Sequence, residues 1–290
     1  MYYLLIILSV IMFGASFAMN DAYRKIRGSS VKASLECTLY GGIAGMIVLV
    51  LINGISVQIT PFAILMALWS ALNGFAFTFC GFKALEKINL SLYSLFSMLG
   101  GMLLPFVQGI AFYGEELTLA KSLCFIFICA ALALTVEKGQ KKGGAVYYFG
   151  IFVLNGMSGV ITKLYNSAPF EKSNSASYSV FTALWGVVIA SILLLTVFRK
   201  KKEEKSVSRK SVAIAALSGT INRVANFILV LSLIHVESSV QYPMVTGGVM
   251  IVSTLICFFG KNKPKKKELI SVGLAFIGLL ILFLLPIILK

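Results

Sequence analysis

The chain has 290 residues, 58% of them hydrophobic and 13% charged, with a mean hydropathy of +0.91. Soluble domains carry about a quarter charged residues and about half apolar ones, so the apolar excess is expected to face lipid, and short loops leave room for roughly ten membrane-crossing helices but for no sizeable aqueous domain. Asp21 is the only aspartate, His235 the only histidine, and no Gly-x-x-x-x-Gly-Lys-Ser/Thr loop occurs, which excludes aspartate-clustered Mg²⁺–pyrophosphate chemistry, a histidine metal site and ATP hydrolysis by the chain itself.

Ten apolar segments follow one another: 2–20, 33–53, 61–82, 90–113, 119–136, 144–165, 174–198, 211–234, 239–260 and 269–289. Each is long enough to cross a hydrocarbon core of about 30 Å at about 1.5 Å per residue. The first lacks a basic leader and a small-residue cleavage site and ends on Asn20 and Asp21, so it is expected to be a retained span. The second carries Gly41, Gly42 and Gly45 and the fourth Gly100 and Gly101, positions suited to close helix packing. Pro105 and Pro243 kink the fourth and ninth, as hinges or as static bends. The five cysteines lie in apolar runs without a Cys-x-x-Cys pair and read as small core hydrophobes.

The net charge of +15 would point to nucleic acid in a soluble protein; in a membrane chain it records orientation. Loops 21–32, 83–89, 137–143, 199–210 and 261–268 hold 21 Lys and Arg, whereas the opposite face holds Lys121, Lys163, Lys172 and Lys290. That split predicts both termini outside a plasma membrane, with lipid rather than nucleic acid as the large partner. The remaining cation, Arg223, lies inside a segment.

The halves 1–140 and 141–290 also match each other. An offset of 142 aligns Gly14-Ala15-Ser16 and Tyr23 with Gly156-Met157-Ser158 and Tyr165; offsets of 149 and 148 align Asn73 with Asn222 and Gly100 with Gly248. Five helices per half is odd, so the second half is expected to enter the membrane inverted, and the basic loops shift accordingly. The expected fold is an all-α polytopic membrane protein of ten transmembrane helices in two inverted five-helix repeats, an architecture that exposes a midplane site alternately to each side in secondary transporters.

Helix eight carries the sharpest chemical signal. Gly219, Asn222, Arg223 and Asn226 follow i, i+3, i+4, i+7 spacing and share a face. A central arginine costs at least about 2.5–3.5 kcal/mol in a membrane helix, and no acid lies at comparable depth. Arg223 is therefore expected either to hold an anionic group, a carboxylate or phosphate, in a wet cavity, or to be structural, bonded to carbonyls or to a tilted-in Glu36. Asn73, aligned with Asn222, would face the same cavity from helix three together with Ser70 and Phe77. Gly156-Met157-Ser158-Gly159 with His235 also matches an intramembrane serine protease pattern, a remote alternative because the repeat already accounts for Gly156 and Ser158.

Phe13-Gly14-Ala15-Ser16-Phe17, Ala84-Leu85-Glu86-Lys87-Ile88, Tyr113-Gly114-Glu115-Glu116-Leu117-Thr118 and the glycines Gly273 and Gly278 resemble the drug/metabolite transporter superfamily, of the ten-helix EamA-like kind. The sequence departs from that pattern at Gly260-Lys261-Asn262, where the family often has Gly-Glu, and in its charge-predicted orientation. The resemblance places helices one, four, six and nine around a central cavity, with Ser16, Asn155, Ser158, Tyr93, Ser97, Tyr242 and Thr246 facing it. Taken singly, such hydroxyls more often bond carbonyls of their own helix. The resemblance implies a monomeric, cofactor-free secondary carrier of an amino acid or similar polar metabolite, and Arg223 favours a carboxylate. An organic-cation or multidrug transporter and a lipid-phosphate flippase are the alternatives in the same superfamily. Protons or ions are candidate coupling partners, with Glu36 and Glu86 as the nearest carriers.

Overall fold

The structure, a computed structural model, describes residues 1–28, 30–85, 90–134, 145–197, 207–259 and 266–288, and every regular element among them is an α-helix. Ten helices follow the ten predicted segments: α1 Tyr2–Arg27, α2 Val31–Ile52, α3 Pro61–Leu85, α4 Leu90–Tyr113, α5 Leu119–Leu134, α6 Ala145–Ser167, α7 Ser175–Thr196, α8 Arg209–Ser232, α9 Ser238–Phe259 and α10 Lys266–Ile288. Seven of them contain a stretch long and apolar enough to cross a bilayer; α4 and α5 offer the shorter stretches Ser97–Tyr113 and Leu119–Ala131, and α6 is not among the seven. By length and composition this is a helical membrane protein, for in lipid the backbone must satisfy its own hydrogen bonds.

The first predicted boundary needs correction. α1 runs on to Arg27, seven residues past the expected end at Asn20, although Asn20–Arg27 is polar. Its last two turns bury Tyr23 and Arg27 against the start of α2, where the Tyr23 hydroxyl donates to the Ala33 carbonyl at 2.9 Å and the Arg27 guanidinium grips Glu36 at 2.8 and 3.0 Å. Tertiary partners thus hold a stretch that polarity alone would leave as loop. Gly28, at φ 97°, ends the helix in a conformation that L side chains avoid. Side-chain caps start α2, α7 and α8: the Ser30 hydroxyl accepts from the Ala33 N–H, Asn174 accepts from the Ser177 N–H, and Ser208 and Ser211 form a capping box.

The packing repeats itself. α1 lies on α8 and α9, as α6 lies on α3 and α4; α2 packs on α8 as α7 packs on α3; α2 with α7, α4 with α9 and α5 with α10 pair directly. These main pairings are unchanged when each helix n is exchanged with helix n+5. Single residues keep the correspondence. Tyr165, at an offset of 142 from Tyr23, donates to the Ser173 carbonyl at 2.7 Å just before α7, as Tyr23 does at the start of α2. Gly100 lies against the Phe152 backbone and Gly248 against Val10, and Val10 and Phe152 are themselves 142 apart. Most helix contacts cross between residues 1–140 and 141–290, so the two stretches interlock rather than form separate bodies; the boundary itself and most of the basic loops lie outside the described residues.

α2 and α8 make a close backbone approach at Gly41 and Gly219, where a Cβ on either glycine would overlap the other's backbone. Small residues of this kind let membrane helices pack by backbone contact. Gly219→Ala is expected to lower the thermal unfolding midpoint of the purified protein by several degrees, because neither backbone can yield. Gly74→Ala, with open space around its Cβ position, is expected to leave the midpoint unchanged or raise it slightly, since alanine suits helices better than glycine.

Candidate functional site: a polar cavity around Arg223

A cavity of about 480 Å³ lies among α1, α2, α3, α6, α7 and α8. The helical face predicted for α8 is its central wall: Gly219, Asn222, Arg223 and Asn226 all line it. Arg223 is near the middle of α8, and the glycine crossing determines where its side chain goes. A Cβ on Gly45 would lie 2.8 Å from the Arg223 Cγ, and one on Gly186 of α7 would lie 3.1 Å from Nη2. The stem therefore runs past a bare stretch of α2 and the guanidinium extends to a bare position on α7. Among the described residues Arg223 makes no hydrogen bond or ion pair, and no Asp or Glu among them lines the cavity. Glu36, the structural partner considered from the sequence, is held instead by Arg27, in an ion pair whose side chains are 2% and 10% exposed.

The other predicted site residues divide. Asn222, Asn226, Phe77, Ser70 and Ser158 line the cavity, with the Asn226 amide bonded to the Asn222 carbonyl and side-chain oxygen at 2.9 and 3.1 Å. Ser16 reaches the wall but is fully buried, and its hydroxyl bonds Ser218 across the α1–α8 contact at 3.1 Å. Asn73 does not line the cavity; its amide donates to the Leu154 carbonyl at 2.9 Å and ties α3 to α6. Asn155 likewise donates to the Ser97 carbonyl at 2.6 Å, and the Tyr242 hydroxyl donates to the Gly159 carbonyl at 3.1 Å; both border a second chamber adjoining the first. The side chain of Tyr93 and all of Glu86 lie outside the described residues. His235 is exposed and stacks on Tyr2 with ring centroids 4.0 Å apart, so the structure does not bring it to Ser158.

Several lining residues were not anticipated. Tyr178, Thr182 and Gly186 form an i, i+4, i+8 row on α7, and Asn20, Cys37 and Thr38 line the cavity from α1 and α2. The α7 row was hidden among the serines Ser175, Ser177 and Ser179 that crowd the same helix start, and Cys37 departs from the expectation of core cysteines. The cavity is closed toward the α6–α7 turn by an apolar cluster in which Tyr165 stacks on Tyr178 at 4.0 Å and on Phe62 at 5.8 Å.

At the same end of the bundle Glu115, in the turn after α4, gathers three elements. Its carboxylate pairs with Lys163 of α6 at 2.8 Å and accepts from the Ser238 N–H at 3.0 Å, the Ser238 hydroxyl at 2.7 Å and the Ser239 N–H at 2.8 Å, capping α9. Burial pushes its pKa up, but the hydrogen bonds from Lys163, Ser239 and Ser238 outweigh it and hold the carboxyl at about 2. Lys121 and Glu237 form a second ion pair nearby.

No family model matches this chain, and no curated protein matches it. Solved structures do: 29 chains match, which makes the fold a shared one. One, described only as the crystal structure of a protein, superposes with a TM-score of 0.77 at 16% identity, covering 100% of this chain and 98% of its own. At that identity the match shows the fold alone.

Because the folded pKa of Glu115 lies below its ordinary 4.5, the stability it contributes is fully present above pH 4.5 and is lost as the pH falls through about 2. Glu115→Gln is expected to lower the unfolding midpoint at pH 7 by leaving Lys163 buried without its partner, a loss of about 3 kcal/mol. The difference from wild type should shrink as the pH is taken from 5 toward 2 in the same thermal melts.

Proposed function

We propose that this chain is a secondary transporter of the drug/metabolite transporter superfamily, EamA-like, with ten transmembrane helices in two inverted halves. It moves a small polar organic metabolite bearing a carboxylate, an amino acid or a relative of one, across the plasma membrane by alternating access. The observation that carries this reading is Arg223: a guanidinium deep in the bundle, facing a cavity, with no acceptor of its own among the described residues. A membrane-embedded cation left unpaired is costly, and a ligand carboxylate offsets that cost through two parallel N–H···O bonds. The exchange symmetry of the packing supports the two-halves part of the proposal, since halves that occupy equivalent positions can swap conformations about a shared site.

The charge in the cavity weighs against the organic-cation reading. An ammonium ligand entering it meets a fixed positive charge and no lining carboxylate among the described residues.

Arg223→Gln in the purified protein is expected to abolish carboxylate-dependent thermal stabilisation and uptake into proteoliposomes, with folding retained in size-exclusion chromatography. Arg223→Lys keeps the charge but loses the fork, and should weaken binding about tenfold or more without abolishing it. If both variants bind and transport carboxylates as the wild type does, the proposal is wrong.

A further inference from the structure

Behind Arg223 the interior continues. A second chamber, of about 230 Å³, shares the wall residues Ser158, Thr162, Asn226 and Val230 with the first. Its character is different. Phe13, Met98, Leu229, Tyr242, Val245 and Val249 line it, and no charged residue among the described ones borders it. Three polar groups at its edge are engaged with backbone carbonyls, the Asn155 amide with Ser97, the Tyr242 hydroxyl with Gly159 and the Gln241 amide nitrogen with Leu229, while the Gln241 side-chain oxygen has no partner among the described residues. Two glycines keep it open, since a Cβ on Gly159 would lie 2.8 Å from the Tyr242 ring and one on Gly101 would lie 2.6 Å from the Asn155 amide nitrogen.

Size and distance say what fits. An apolar protein cavity of about 150 Å³ takes up benzene, so 230 Å³ accommodates one ring or a branched chain of similar bulk. On α8 the chamber residues Leu229 and Val230 stand six and seven positions beyond Arg223, an axial rise of about 9–10 Å at 1.5 Å per residue. Asn226, in the shared wall, stands three positions beyond, about 4.5 Å. The separating wall is thin at Ser158, which is exposed to the cavity and whose hydroxyl makes no hydrogen bond within the described residues.

We infer that the ligand is an amphipathic carboxylate: its carboxylate lies on Arg223 and an apolar group of about ring size, some 5–10 Å further along α8, fills the second chamber. The inference rests on the Arg223 reading given under the proposed function and adds the substrate class. Small carboxylates engage the arginine but leave the chamber empty, and apolar molecules without a carboxylate leave the cation unpaired. Selectivity therefore resides in the α4, α6 and α9 residues around the chamber, and affinity for the charged head resides on α8.

The test uses the purified full chain and isothermal titration with propionate and 3-phenylpropionate, which share a carboxylate and differ by a ring. In the wild type, 3-phenylpropionate is expected to bind at least tenfold more tightly, as expected when an apolar pocket gains a well-fitting group. Val245→Trp, and independently Met98→Trp, fills the chamber; each should remove the preference for the ring and bring the two ligands to within about threefold of each other. Arg223→Gln should weaken both ligands. If the wild type binds the two alike, or if both tryptophan variants keep the full preference for the ring, the chamber assignment is overturned, and the carboxylate reading survives provided Arg223→Gln still weakens both. If Arg223→Gln leaves both unchanged, the carboxylate reading itself fails and this inference fails with it.

Discussion

The backbone contact of α2 with α8 at Gly41 and Gly219 is the constraint on which the rest of the interior depends. Two helices at that distance leave no room for side chains between them, so the groups one turn further along are pressed sideways. Arg223, one turn on from Gly219, meets Gly45 on the side of α2 and is directed toward Gly186 on α7. The same crossing brings α8 against α1, where Ser218 and Ser16 bond each other and Ser218 bonds Asn20 at 2.8 Å. A run of small residues thus both cements the bundle and creates the space beside it, since a helix held by backbone contact on one flank cannot also fill the volume on the other.

Against this pseudo-symmetric scaffold the charges are asymmetric. Arg27 and Glu36 tie α1 to α2 at one end; Glu115 and Lys163 tie the α4–α5 turn to α6 and α9 at the other. Each acid in these pairs is matched by a base within hydrogen-bonding distance, and each sits where a helix begins or ends. Glu36 is the informative one. Its neighbours Leu35, Cys37 and Thr38 line the cavity, so it is the carboxylate best placed by sequence to approach Arg223. Its bidentate bond to Arg27 keeps it at the helix junction, and among the described residues the cavity is left with a cation and no counter-charge. Tyr23 and Tyr165 make matching hydroxyl-to-carbonyl bonds beside these junctions, while the charged groups differ from one junction to the other.

The helical character of the apolar segments and the shared face on α8 were legible because they are periodic, and periodicity in sequence becomes position in a helix without further information. The end of α1 was not legible, since Asn20–Arg27 is held by contacts with α2 rather than by its own composition. Asn73 was expected in the cavity from its alignment with Asn222, and Asn155 and Ser16 from the family resemblance; the structure engages the first two with carbonyls of neighbouring helices and the third with Ser218. Polarity in a membrane helix marks a hydrogen bond, and only the three-dimensional partner tells whether a ligand or another helix receives it. Arg223 differs because a guanidinium with five donors cannot be satisfied by a single neighbouring carbonyl.

That difference also explains why an unpaired arginine is a more useful site than a paired one. Had Glu36 reached Arg223, an incoming carboxylate would have to displace it, leaving one buried charge uncompensated at a cost of about 3–5 kcal/mol. With Glu36 held by Arg27, the cost of the exposed cation is borne in the empty state, at least about 2.5–3.5 kcal/mol on insertion scales, and ligand binding relieves it. An arginine kept free in this way raises the energy of the empty cavity relative to the loaded one. In the proposed carrier, the species that crosses between the two conformations at lowest cost is then the one in which the carboxylate has already neutralised Arg223.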